Sequence, residues 1–222
     1  MESQYDKKVL DQYLNGEFVD INSMPAYYSF SNARNARETY IPRKDFIHIG
    51  MDFNVDPMCA VVGEIGPDGK LFIYDEIILK DSNTQIMSSE IKKRYPLSTI
   101  TVYPDLTGNK RQTSAPLGVT DIRILKGPPY NFRIQGDRIS TQRDRLNTVN
   151  GAFDHDKVII CRSTCPELLA DIRASNRTAD GGIDKRNEKP GSPAGHITDA
   201  MGYLIQRVFP LSKRSGATII GR

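Results

Sequence analysis

FIHIGMDFNVDPMCAVVGEIGPDGKLFIYDEIIL, residues 46–79, decides the fold. Three β-rich runs stand in it, Phe46–Phe53, Met58–Ile65 and Leu71–Leu79. Turn formers separate them. Asn54-Val55-Asp56-Pro57 closes the first run, because Asx side chains bond to nearby backbone and Pro fixes φ. Gly66-Pro67-Asp68-Gly69 closes the second and is a hairpin signal. Connections this short join antiparallel neighbours, so the stretch predicts a three-strand antiparallel meander.

Downstream, helices and strands alternate. Ile86, Met87 and Ile91 give a helix that Thr84 can cap and Pro96 stops. Thr99–Tyr103 predicts a buried strand, and Asp121–Leu125 another. Residues 138–153 predict a basic amphipathic helix, with Ile139, Leu146, Val149 and Phe153 on one face. Lys157–Cys161 predicts a strand, Pro166–Ala174 a helix with Pro in its first turn, and Thr198–Val208 a helix striped by Met201, Leu204, Ile205 and Val208. The sum is an α/β fold: a mixed sheet of antiparallel meander plus further strands, flanked by helices. Residues 1–45 lack a sustained period and are expected to be a linker lying on or leading into the domain, with a short helix at about 5–14 closed by Asn15-Gly16. The domain proper is expected over 46–210, and 211–222 reads as a tail.

Composition narrows the class. The 222 residues are 38% hydrophobic and 26% charged, enough for one domain with a core and long loops. No run approaches the length needed to span a bilayer, and Met1-Glu2-Ser3-Gln4 resembles no secretory signal. Cys59, Cys161 and Cys165 are an odd set, which argues against a disulfide framework and for a reduced, cytoplasmic setting. Cys161 and Cys165 are expected to be small buried residues. Net charge is +3, unevenly spread. Residues 1–105 carry 11 Lys/Arg against 16 Asp/Glu, and residues 106–222 carry 19 against 11. A basic second half suits a polyanionic partner such as nucleic acid, or is simply an uneven solvated surface.

Phosphate-loop, dinucleotide-binding, nucleophile-elbow and zinc-protease motifs are all absent. What remains is carboxylates in unusual places. Asp52 lies in an apolar strand, Asp105 just past the end of another, and Asp199 in the first turn of an amphipathic helix. Buried carboxylates are costly unless paired or metal-bound. Each has a plainer reading: a turn residue for Asp52, an Asx turn for Asp105, a helix-dipole charge for Asp199. Together, on two strand ends and one helix start, they form a candidate joint site. Mg²⁺ or Mn²⁺ suits such oxygen ligands, and two such ions can hydrolyse a phosphodiester without a covalent nucleophile.

At these residues the chain resembles the ribonuclease H-like nucleases, and within them the nuclease domain of large terminase subunits of tailed phages. Tyr13-Leu14-Asn15-Gly16-Glu17-Phe18-Val19 and Tyr27–Phe30 resemble the stretch between the family's ATPase and nuclease domains. Gly50-Met51-Asp52-Phe53-Asn54 resembles the first metal motif. Tyr103-Pro104-Asp105 with Thr107-Gly108-Asn109 resembles the second, and His196-Ile197-Thr198-Asp199-Ala200 the third. The resemblance implies an endonuclease that cuts concatemeric viral DNA during packaging in the cytoplasm of an infected bacterium. It implies two divalent ions on Asp52, Asp105 and Asp199. His196 would orient water or a proton, or else be a capping or surface histidine. An ATPase domain, a portal and a small terminase subunit are the implied partners, although this chain has no ATPase motif. Asp75 and Glu76 are acidic neighbours of open role.

Lys110, Arg111, Arg138, Arg143 and Arg145 are expected to contact phosphates of double-stranded DNA. The polar stretch 175–195 is expected to be a mobile flap, hinged at Gly181-Gly182, with Lys185, Arg186 and Lys189 facing the backbone; the plainer reading is a surface insertion. Rival functions are a junction resolvase or transposase core of the same fold, and a non-catalytic DNA-binding module.

Overall fold

The computed structural model describes residues 25–105, 120–136, 141–178, 180–184 and 191–210. The expected helix at 5–14, the motif remnant 107–109 and the tail lie outside the described residues. In chain order the elements are α1 (Asn32–Asn35), β1 (Ala36–Arg37), β2 (Phe46–Asp52), β3 (Met58–Ile65), β4 (Leu71–Leu79), α2 (Thr84–Arg94), β5 (Thr99–Pro104), α3 (Asp121–Lys126), β6 (Arg133–Ile134), α4 (Gln142–Asp154), β7 (Val158–Cys161), α5 (Pro166–Ala174) and α6 (His196–Val208).

β2, β3 and β4 form the expected antiparallel meander. Parallel strands extend it on both sides, β5 and β6 beyond β2, β7 and β1 beyond β4. The seven-stranded order is β1-β7-β4-β3-β2-β5-β6. Period-two alternation divides the core. Ile47, Ile49 and Met51 face one side, with Met87, Ile91 and Leu125 of α2 and α3. The other side of the sheet meets α4, α5 and α6, through Leu146, Val149, Phe153, Leu168, Ile197, Met201, Leu204 and Ile205. Burying each of the larger side chains contributes about 1.5–3 kcal/mol.

Gly50 sets how closely α6 lies on β2. A Cβ there would stand 2.0 Å from the Ala200 carbonyl oxygen, so any side chain would force strand and helix apart. Asp52 is two residues on and points to the same face.

Two expectations are corrected. Asp121–Leu125 is helical rather than a strand, because the Thr120 side chain accepts from the Arg123 N–H and caps its first turn. The stretch 175–195 is also more ordered at its start than its polarity implied. Arg177 and Ile183 pair across a turn at Gly181, whose φ of 85° suits glycine. Ile183 enters the core, and its N–H donates to Gln142 Oε1 at 3.1 Å. Within residues 25–45, Ala26 and Tyr27 pack in the core and Ala36–Arg37 supply the edge strand. Cys59, Cys161 and Cys165 are free and buried.

Candidate active site

Parallel pairing brings the ends of β2 and β5 side by side. Met51 pairs with Pro104, and the Asp105 N–H donates to the Met51 carbonyl at 3.0 Å. Asp52 and Asp105 therefore leave neighbouring parallel strands at their carboxyl ends, the place where open α/β sheets bind ligands. α6 delivers Asp199 and His196 from its first turn to the same end. The burial of Tyr203 raises its hydroxyl pKa; Arg145 opposes the shift, while Asp199, Asp105 and Asp52 add to it in that order.

His196 lies between two side chains. Its Nδ1 is 2.9 Å from Asp52 Oδ2. Its Nε2 is 3.0 Å from Asn54 Nδ2, and that amide nitrogen also donates to the Asp56 carbonyl at 3.3 Å. With Asn54 donating to Nε2, the ring proton sits on Nδ1 and is donated to Asp52. His196 is thus the first residue of α6 and half-buried against Asp52.

Asp199 is 5% exposed and accepts from Arg145 Nη2 at 2.5 Å. Arg145, expected at a DNA-facing surface, is instead 9% exposed and turned inward. Burial lowers the Arg145 pKa, but the charge and hydrogen bond of Asp199 together with Tyr203 and Tyr27 raise it above its ordinary value. Arg143 is exposed on α4. Lys110, Arg111, Arg138, Lys185, Arg186 and Lys189 lie outside the described residues.

Asp171 went unnoticed in the sequence. Its Oδ2 accepts from the Gly195 N–H and the Thr198 hydroxyl, both at 2.8 Å, and its Oδ1 accepts from the Ser175 hydroxyl at 3.3 Å. It ties both ends of the 175–195 stretch to the start of α6. Burial raises its pKa against these hydrogen bonds. The available signal was an aspartate on the apolar face of α5, between Leu168, Leu169 and Ile172. Asp75 and Glu76 serve elsewhere. Asp75 accepts from Arg94 at 3.0 Å and from the Tyr95 hydroxyl at 2.6 Å. Glu76 accepts from the Glu167 and Leu168 N–H groups at 3.0 and 2.8 Å, capping α5.

Carboxylate oxygens are a donor set that suits Mg²⁺ or Mn²⁺. Among the described residues, no three His, Cys, Asp or Glu side chains already stand as a metal-holding group. Asp52 is paired with His196, and Asp199 with Arg145. The carboxylates fit such an ion by their donor chemistry.

No protein-family profile and no curated protein matches the chain. Solved structures do. The large terminase from the thermophilic bacteriophage D6E is 14% identical with a TM-score of 0.68, over 92% of this chain and 50% of that one. The chain thus spans half the length of that terminase. The nuclease domain of the P22 large terminase is 14% identical with a TM-score of 0.60, over 85% of this chain and 95% of that one. The nuclease domain of the bacteriophage SPP1 large terminase, with bound Mn, is 19% identical with a TM-score of 0.51, over 78% and 95%. The fold is therefore the ribonuclease H-like fold of large terminase nuclease domains. Among the described residues, no helix is long and apolar enough to cross a membrane.

Proposed function

We propose that the chain is the nuclease part of a phage large terminase, a metal-dependent endodeoxyribonuclease that cuts concatemeric viral DNA during genome packaging. The observation that supports the proposal is a fold like that of terminase nuclease domains in which Asp52 and Asp105 leave adjoining strand ends and α6 begins with His196, bonded to Asp52, and Asp199. The Mn in the SPP1 structure supports divalent-ion use.

In this reading Asp52, Asp105 and Asp199 hold one or two Mg²⁺ or Mn²⁺ ions. Bound divalent ions supply Lewis acidity at phosphate oxygens and make water a stronger acid. His196 holds the Asp52 carboxylate through Nδ1. Asn54 fixes the ring and keeps Nε2 a proton acceptor. Asp171 seats the start of α6 so that Asp199 and His196 arrive together. Arg143, Lys110, Arg111, Arg138, Lys185, Arg186 and Lys189 would hold the DNA backbone without reading bases. The 175–195 stretch would act as a flap beside the metals. Linked to an ATPase domain, the unit would work with a portal and a small subunit in the cytoplasm of the infected cell.

Digestion of supercoiled plasmid with Mn²⁺ or Mg²⁺, against a chelator control, tests this. Chelator-sensitive nicking and linearisation is expected. The Arg145–Asp199 pair favours a second reading, a non-catalytic DNA-binding module with its carboxylates neutralised internally. Plasmid bound yet uncut at every ion concentration would select it.

A further inference from the structure

Arg145 crosses α6 where that helix has no side chain. A Cβ at Gly202 would stand 2.7 Å from Arg145 Cδ and 3.0 Å from its Nε. The guanidinium carbon lies over the Tyr203 ring, 4.4 Å from its centre. Its Nη2 ends on Asp199 Oδ1. Asp199, Gly202 and Tyr203 stand at i, i+3 and i+4, so one face of α6 supplies the acceptor, the gap and the stacking ring. The planar fork of arginine matches this socket, and an ammonium does not. So enclosed a cation costs desolvation energy, which a surface phosphate contact would not require.

We propose that Arg145 is a positioning residue for Asp199 in the metal site. It anchors the carboxylate through Oδ1, turns it for cation ligation, and offsets its repulsion from Asp52 and Asp105 until a cation arrives. The proposal rests on Asp199 being a metal ligand. Ligating carboxylates are commonly hydrogen-bonded by a neighbour, and losing that neighbour costs roughly 10–100-fold in metal affinity. The direction is informative. Deleting a positive charge beside a cation site would by electrostatics alone tighten binding, so weaker binding reports lost orientation.

Calorimetric titration of the full chain with Mn²⁺, without DNA, tests it. The parent is expected to bind and Asp199→Asn to lose most of that binding. Arg145→Met is expected to weaken affinity roughly tenfold or more. Arg145→Lys, with charge and stem but no planar fork, falls between. Circular dichroism checks that each variant is folded. Parent-like or tighter Mn²⁺ binding by folded Arg145→Met overturns the proposal while leaving the metal site standing. If Arg145→Met does not fold, parent-like affinity in Arg145→Lys overturns it. A parent that binds no Mn²⁺ removes the metal reading and this proposal with it.

Discussion

Asp75 and Asp52 are both aspartates in apolar strands of one sheet, yet their surroundings differ. Asp75 lies within β4, where Arg94 and Tyr95 at the end of α2 reach it, and Glu76 beside it caps α5. Each of those acids binds the sheet to a helix. Asp52 is the last residue of β2, and Asp105 follows the last residue of β5. Asp52 meets a histidine from a third element, itself held by Asn54. Acids inside a ladder are consumed in holding layers together. Acids at adjoining strand ends lie where open α/β sheets bind ligands.

The sharpest way to break this contrast is to exchange acids for amides in both regions. Asp52→Asn and Asp105→Asn are each expected to abolish Mn²⁺-dependent plasmid cleavage, and Asp75→Asn to leave it intact. Cleavage rates measured well below the melting temperature decide it. A parent-like rate for Asp52→Asn would remove that residue from the site.

Stability divides the strand-end acids further. Simple self-repulsion predicts that removing any one of the three charges makes the metal-free protein slightly more stable. Asp105→Asn tests that expectation directly. For Asp199→Asn the sign reverses, because Arg145 is left buried without its partner, a loss of about 3 kcal/mol. Denaturant unfolding with chelator present reads both.

On the structural side, Glu76→Ala uncovers two N–H groups of α5 and is expected to cost about 1 kcal/mol, the usual size of a helix cap, with no change in metal affinity. Calorimetric melting together with Mn²⁺ titration measures both effects. A fall in affinity would draw β4 into the site.

The smallest effect concerns pH. Burial pushes the Glu64 carboxyl up, but hydrogen bonds from Tyr40, Lys44 and Arg43 outweigh it and hold the pKa below its ordinary 4.5. The folded chain therefore binds this proton less readily than the unfolded chain. The stabilisation is complete above pH 4.5 and is lost as pH falls through the depressed value. Glu64→Gln should flatten the acid limb of a melting-temperature profile and leave the neutral limb's slope unchanged.

The meander was legible because its turns are written in Asn, Asp, Gly and Pro, and α5 because Pro166 marks its first turn. β1 and β6, two residues each, carry no periodic signal and exist only through their partners. Asp121–Leu125 alternates like a strand, and a Thr cap overrules it. The three aspartates and His196 stood out because charge at the ends of apolar elements is conspicuous. Arg145 misled because charge in a sequence carries no direction: only Gly202 and Tyr203 in three dimensions turn it inward. The tie through Asp171 depends on a loop closing back on itself, which spacing does not reveal.

Crystals grown with Mn²⁺ and measured at the manganese absorption edge test the convergence most directly. The predicted result is anomalous density bounded by Asp52, Asp105 and Asp199, with an oxygen of each carboxylate directed at it. Saturating Mn²⁺ with no density at that end of the sheet, and Asp199 bound to Arg145 as before, would contradict it.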